Sequence, residues 1–349
     1  MAVFHSSRKD RSPVYLVNIS FPEAMVNIKK PIKQSEGALL KIKSYQTFIF
    51  LILLFVLNAC TPNESPIKVS LSENLIQGEV NWPSTPENQK AYVIGFDRRL
   101  EPKEDVRIYA LLLTYLERET GYHFILHITP KDGSLVTEIG EKQVDFAVVG
   151  TLTYLQAHEQ YAARMLVRGV NAEGESVYRA AIVTRPGSGI NSLIDLKGRS
   201  FVFGASSSTQ GHLIPRMMLA QAGVELTDLR AYDYTGSHAE TANYVISGRA
   251  DAGGMQDTLA QSLAARGLLR ILVWSDPFPS SGILVGKHIS AEVAEKVLDA
   301  LLRFDPSGKD QGQLYHWERT EMPRGFTTTN DQDYDYLRNW AEKFALLTP

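Results

Sequence analysis

The stretch GASSSTQGHLIPR, Gly204–Arg216, lies between an alternating apolar run, SFVFG (Ser200–Gly204), and an apolar helical pattern that begins near Leu213. It carries three serines, a threonine, a glutamine, a histidine and two glycines. A strand that passes through such a turn into a helix ends where α/β folds bind ligands, outside the carboxyl ends of the strands. The start of a helix presents unpaired backbone N–H groups and the positive end of the macrodipole. Serine and threonine hydroxyls add donors that rotate toward an oxygen, and Gly211 lets the backbone come close. Two readings of the turn stand: an ordinary helix N-cap, or a cradle that holds a tetrahedral oxyanion with dipoles alone. Pro215 suits the first turn of a helix starting near Leu213, or a kink after an earlier start. A serine hydrolase fits poorly, because the stretch lacks a G-x-S-x-G elbow and no acid partner for His212 stands out.

Working outward, strands and helices alternate. AYVIGFD (Ala91–Asp97) is a short apolar strand, and VRIYALLLTYLERETG (Val106–Gly121) has helical spacing with glycine at its stop. YHFILHIT (Tyr122–Thr129), VDFAVVG (Val144–Gly150) and YRAAIVTR (Tyr178–Arg185) read as strands, with helices over Leu135–Glu141 and TYLQAHEQY. Later come a helix over Leu213–Gly223, one from Ala239 to Arg249, the strand ADAGGM, the strands RILVWS and GILVG, and helices over Ala291–Phe304 and Tyr334–Leu346. Repeated β-α-β units predict mainly parallel sheets covered by helices. A body of this length predicts two α/β lobes. The expected division is 91–185 for the first part of lobe 1, 186–274 for lobe 2, and 275–349 for the return to lobe 1.

The N-terminal part reads differently. FIFLILLFVL (Phe48–Leu57) follows Lys41 and Lys43 and is too short to span a bilayer comfortably as a helix. With LNAC (Leu57–Cys60) behind it, residues 41–59 resemble a bacterial lipoprotein signal peptide, which implies lipidation of Cys60 and a periplasmic or extracytoplasmic, membrane-anchored protein. Cys60 is the only cysteine, so no intramolecular disulfide forms. Residues 1–40 are expected to reflect a start site placed too far upstream, and 60–90 to be a polar, proline-containing tether. Residues 1–59 hold eight Lys/Arg and three Asp/Glu. The remainder keeps 28 positive and 36 negative side chains, a net −8. Such a surface does not attract nucleic acid by bulk charge, so an anion must be bound by local dipoles. His123 and His127 share a strand face about 13 Å apart and cannot chelate one ion together. No metal site and no cofactor are expected.

The section SLIDLKGRSFVFGASSSTQGHLIPRMML, with YRAAIVTR before it and YTGSHAETANYVISGRADAGGM after it, resembles the phosphonate/phosphite/phosphate-type solute-binding proteins of ABC importers. The resemblance covers most of Ala91–Leu346. It implies the type II periplasmic-binding fold, two α/β lobes joined by a double crossover that closes on ligand. Carried over position by position, Ser208 and Thr209 fall on the hydroxyl pair that grips phosphoryl-type oxygens, with Ser207 beside them. Gln210 stands where many members have a second serine, a departure that opens the site to another anion or pose. GTLTY (Gly150–Tyr154) falls on the opposing lobe's loop, with Thr151 in it and Tyr154 as a phenol donor or wall; packed core is the other reading of Tyr154. His238 falls on a position facing the ligand, and equally suits a helix cap. Asp257 can accept a proton from a partly protonated ligand, pair with a ligand amine, or cap its own helix. Arg98 and Arg99 follow the first strand as solvated charges or a ligand contact, and Arg179 reads as a mid-strand residue or ion-pair partner. The implied function is capture of a small phosphorus oxyanion by a monomer that delivers it to an ABC permease, without catalysis. The alternative is a ligand-sensing lipoprotein that signals to a membrane kinase or cyclase.

Overall fold

The computed structural model describes residues 91–97, 102–130 and 133–348. The signal segment, Cys60, the tether, Arg98 and Arg99 lie outside the described residues. The first stretch runs β1 (Ala91–Phe96), α1 (Pro102–Thr120), β2 (His123–Leu126), α2 (Leu135–Gly140), β3 (Phe146–Val149), α3 (Thr151–Tyr161) and β4 (Arg164–Gly169). A two-residue strand β5 (Val177–Tyr178) leads to β6 (Ala180–Thr184), β7 (Ser200–Phe203), α4 (Ile214–Gln221) and β8 (Ala231–Tyr234). Then come α5 (His238–Ile246), β9 (Ala252–Gln256), α6 (Asp257–Ala265) and β10 (Arg270–Trp274). The chain returns through β11 (Phe278–Pro279), β12 (Gly282–Val285), α7 (Ala291–Arg303), β13 (Phe326–Thr328) and α8 (Asp335–Lys343).

Local chemistry accounts for these elements. α1 places Glu104 and Asp105 in its first turn and Arg118 in its last, matching the macrodipole. Its Ile108, Tyr109, Leu112, Leu113, Tyr115 and Leu116 are buried at helical spacing, and the chain leaves it at Gly121 with φ +68. All four residues of β3 are buried, as a central strand requires.

Each lobe carries one sheet, and the two orders correspond. The first sheet runs β13-β4-β12-β3-β1-β2 and the second β10-β6-β9-β7-β8. In both, three parallel strands are joined by one antiparallel strand, β12 or β6, that has just arrived from the other lobe. The two connections between lobes are themselves paired, because β5 and β11 form an antiparallel ribbon. One apolar cluster covers the face of the first sheet under α1 and α7. A second runs without a break from Leu152, Tyr154 and Leu155 to Leu213, Ile214 and Met217, and on to Tyr334 and Leu337. Packing therefore continues across the boundary between the lobes.

The two-lobe expectation holds, with one boundary corrected. The sequence division keeps residues 91–185 together, but β6 pairs with β9 and β10 in the second sheet. YRAAIVTR is also two strands rather than one. The break falls at Arg179, whose N–H is drawn to Asp257 Oδ2 at 2.9 Å and whose carbonyl receives Gln210 Nε2 at 2.8 Å. Those bonds take its backbone out of the ladder.

β12 needs glycine where it meets β4. A Cβ on Gly282 would run into the carbonyl oxygen of Val167 and stand 2.9 Å from Met165 Sδ. The Gly282→Ala variant is expected to lose about 3 kcal/mol of stability through separation of these strands, read as a lower urea midpoint with an unchanged m-value.

Candidate ligand site at the junction of the lobes

β7 delivers the chain to the opening stretch at Gly204, and the turn folds back on its own entrance. Gly204 N–H donates to the carbonyl oxygen of Gly211 at 2.8 Å. That carbonyl would ordinarily serve the N–H four residues on, which is Pro215 and has none. The crossing requires small residues. A Cβ on Gly211 would meet Gly204 Cα at 3.1 Å, His238 Cε1 at 3.0 Å and Ser208 Oγ at 2.9 Å. Ser208 Oγ accepts the Gly211 N–H at 2.9 Å as an N-cap. Thr209–Leu213 form a single wide turn, with Leu213 N–H on the Ser208 carbonyl at 3.1 Å, before α4 begins. The two readings of Pro215 thus merge, since helical winding starts earlier and Pro215 lies in the first turn of α4.

His212 closes the turn from below. Its Nδ1 is 2.6 Å from the Ser206 carbonyl oxygen and its Nε2 is 3.0 Å from Tyr234 Oη. A carbonyl only accepts, so the neutral ring carries its proton on Nδ1 and Nε2 accepts from the tyrosine. Phe203 and Tyr234 pack edge-on to the ring at 5.2 Å and 4.9 Å. Burial, aided by Arg216 and opposed by the Ser206 bond, holds its pKa down to about 4.

The opposing surface is the N-terminus of α3. Thr209 Oγ1 accepts the Leu152 N–H at 2.8 Å, so the turn of the second lobe meets a helix start of the first. Asp97, at the end of β1, accepts from Gly150 N–H at 2.9 Å and from the Thr153 hydroxyl at 3.2 Å. A carboxylate there is favoured by the helix dipole. Thr151 Oγ1 donates to the Pro279 carbonyl at 3.2 Å and lies 3.1 Å from Tyr178 Oη. Burial raises the Tyr178 pKa, against the lowering effect of its bonds to Thr151 and Thr209. Beside them Gln210 Nε2 bonds the Arg179 carbonyl and reaches Asp257 Oδ1 at 3.5 Å. Burial lifts the Asp257 carboxyl, opposed by N–H bonds from Arg179 and Thr258 and helped by the charge of Glu321. The junction thus gathers hydroxyls, an amide and backbone dipoles from both lobes, framed by carboxylates that hold them in place. Donor sets of this kind, aimed from a turn and a helix start, suit an oxyanion.

Residues 94–334 match the family described as ABC transporter, phosphonate, periplasmic substrate-binding protein. The chain belongs to this phosphonate-binding family. It is similar to "Probable ABC transporter phosphite binding protein PhnD1" of Prochlorococcus marinus, 29% identical over 167 residues that make up 46% of this chain and 50% of that protein. It is similar also to the "Phosphonates-binding periplasmic protein" of Escherichia coli, 22% identical over 57% of this chain and 62% of the relative. The matches thus span about half to three fifths of these curated relatives. Among solved structures, PhnD1 of Prochlorococcus marinus in complex with methylphosphonate aligns with a TM-score of 0.66 at 18% identity, covering 74% of this chain and 99% of that one. A binding protein component of an ABC phosphonate transporter from Pseudomonas aeruginosa aligns with a TM-score of 0.64 at 19% identity, covering 74% and 87%. The fold is the type II periplasmic-binding architecture.

In this phosphonate-family chain the predicted residues separate into groups. Thr151, Thr209, Gln210 and Asp257 come together at the junction. Ser208 is engaged as the cap of its own turn, and Ser207 is exposed at the tip. His238 starts α5, with Ser237 as the cap; its Nδ1 accepts from Gln256 N–H at 3.3 Å and its ring covers the Gly204–Gly211 crossing. Tyr154 is buried and turns its hydroxyl to Asp331 Oδ1 at 2.5 Å, within a group completed by Arg338. Arg179 sends its guanidinium to the Ser275 carbonyl at 2.6 Å. Among the described residues no cluster of three His, Cys, Asp or Glu is placed to hold a metal ion. Asp97, Tyr178 and Glu321 went unrecognised in the sequence. Asp97 gave a signal, an acidic residue ending the first apolar strand, whereas Glu321 lies in an irregular segment with no pattern to expose it.

His212 gives the protein an acid-sensitive contribution to stability. Its folded pKa near 4 lies below the ordinary 6.5, so the unfolded chain takes up the proton first as pH falls. The contribution is complete above pH 6.5 and disappears between 6.5 and 4, about 3 kcal/mol in full. Urea midpoints taken from pH 7 to 4.5 are expected to fall less steeply for His212→Asn than for the wild type.

Proposed function

We propose that the protein is a lipid-anchored extracytoplasmic binding protein that captures a small phosphorus oxyanion by closure of its lobes and delivers it to an ABC importer. The observation that carries this reading is the meeting of Thr209 Oγ1 with the Leu152 N–H at the N-terminus of α3. A hydroxyl-rich turn and a helix start, one from each lobe, face each other there, the Leu152 N–H donating to the Thr209 hydroxyl oxygen. An anion between them would be gripped from both sides, so that binding and closure are one event. Thr209, Thr151, Tyr178 and Gln210 supply the polar wall, with Ser207 and Ser208 at its rim. Family membership supports the ligand class, as do relatives named for phosphite and phosphonates.

Selectivity follows from the cost of leaving a buried donor unpaired. A ligand that lacks one oxygen strands a hydroxyl or N–H, at about 1–3 kcal/mol. The residual charge of −8 on the body makes dipoles the means of attraction, and a ligand held by dipoles is released without separating an ion pair.

Isothermal titration with methylphosphonate, phosphite and phosphate tests the reading. Thr209→Ala is expected to weaken the tightest of these about tenfold or more, and Ser208→Ala less, with both variants folded. Unchanged affinity in both would remove the site from this turn. For the anchor, Cys60→Ser is expected to move the protein from the detergent phase to the aqueous phase in detergent partitioning, whereas retention in the detergent phase would exclude a lipid on that cysteine.

A further inference from the structure

We propose that His212 is a positioning residue for the ligand-binding turn, fixing the Ser206–Ser208 segment from beneath so that Thr209 faces the first lobe; this rests on the binding role proposed above for that turn. His212 is almost wholly buried, at 1% exposure, yet it lies directly under a stretch whose Ser206 and Ser207 are exposed. Its Nδ1–H reaches the Ser206 carbonyl across six residues, at 2.6 Å. Helical bonds of the wide turn begin only at the Ser208 carbonyl. The Ser206 carbonyl is thus tied to the body of the lobe by a side chain rather than by a ladder.

The rest of the pocket serves this one bond. The Tyr234 hydroxyl occupies Nε2 and so keeps the proton on Nδ1, where the carbonyl needs it. Tyr234 is stacked on Phe203 at 5.5 Å, and Phe203 is the residue of β7 that immediately precedes Gly204. The turn's entrance, its tip and the adjacent strand β8 therefore meet on one imidazole. Of charged groups, Arg216 on α4, its guanidinium over the Phe344 ring, disfavours a second proton through its charge. The hydroxyl of Tyr234 faces the imidazole from β8, and the apolar Phe203 from β7. A neutral ring of fixed tautomer and fixed orientation acts here as a spacer with a donor at one end.

Asparagine and glutamine separate this role from simple packing. The Asn Nδ2 falls near the position of the imidazole Nδ1, whereas the Gln Nε2 falls near that of Nε2. Methylphosphonate is the probe, with titration calorimetry and thermal melting measured on each variant. Expected are affinity within about threefold of wild type for His212→Asn, and a loss of about tenfold or more for His212→Gln and His212→Leu. In wild type, ¹⁵N spectra of the ring are expected to give the Nδ1–H tautomer. Wild-type affinity in His212→Gln or His212→Leu, alongside weakened Thr209→Ala, overturns the positioning role and leaves the site reading intact. Full affinity in both Thr209→Ala and Ser208→Ala removes the site reading itself. Equal losses in the Asn and Gln variants, or an Nε2–H tautomer in wild type, also overturn the proposal. Should His212→Leu fail to fold, the Asn and Gln pair decides.

Discussion

The hydrogen bond from Gly204 N–H to the Gly211 carbonyl is the constraint on which the Gly204–Leu213 turn depends. Pro215 leaves that carbonyl without its helical donor, and the strand end supplies one. For this to happen two backbones must cross at van der Waals distance, which only glycines on both sides allow. A third glycine completes the fit, since a Cβ on Gly254 would meet Pro215 Cγ at 2.5 Å and the same Gly211 carbonyl at 3.4 Å. The wide turn of Thr209–Leu213 is what remains when a helix starts under these conditions. It points Thr209 outward to the other lobe and His212 inward to the core.

The same turn is wired to the connection between the lobes. Gln210 holds the carbonyl of Arg179, and Asp257 holds its N–H, so the short break between β5 and β6 has both backbone groups fixed by the second lobe. On the other side β5 pairs with β11, and the Thr151 hydroxyl bonds the carbonyl of Pro279 in that ribbon. The serine-rich turn, the crossing strands and the start of α3 form one connected polar network. A change of geometry at Gln210 is therefore felt where the chain passes between lobes.

Much of this organisation was legible in the sequence because it rests on periodicity. The fully apolar FAVV of β3 and the helical spacing of α1 admit few readings, and the S-T-Q-G turn after an alternating strand marks a strand-to-helix junction. The reading failed where a single residue decides the matter through partners far away. Arg179 looked like the middle of a strand because nothing local shows that Asp257, 78 positions on, takes its N–H. For Tyr154 the sequence leaves phenol donor and packed core both open, because Asp331, which accepts its hydroxyl, stands 177 positions away. His212 looked only like a weak catalytic candidate, since its role depends on a tyrosine from the next strand. Ser208 is the instructive middle case. Cap and cradle are compatible readings of this turn, and the cap is formed, with the Ser208 hydroxyl accepting from Gly211 N–H.

That cap bears on how the turn can engage an anion. A serine hydroxyl accepting from Gly211 still has its own proton to donate, so capping does not remove it from a donor set. The Thr209 hydroxyl accepts from Leu152 N–H and also bonds Tyr178, so it is held from two sides. Each of these groups takes a backbone N–H with its lone pair and is thereby polarised as a donor. Asp97 does the complementary work at α3, accepting from Gly150 and Thr153 and fixing the helix start that Thr209 meets. Neutral donors arranged in this way lose little entropy on meeting a ligand, because the fold has already oriented them. Their strength comes from geometry rather than formal charge, and the stiffness of the Gly204–Gly211–Pro215 crossing maintains that geometry.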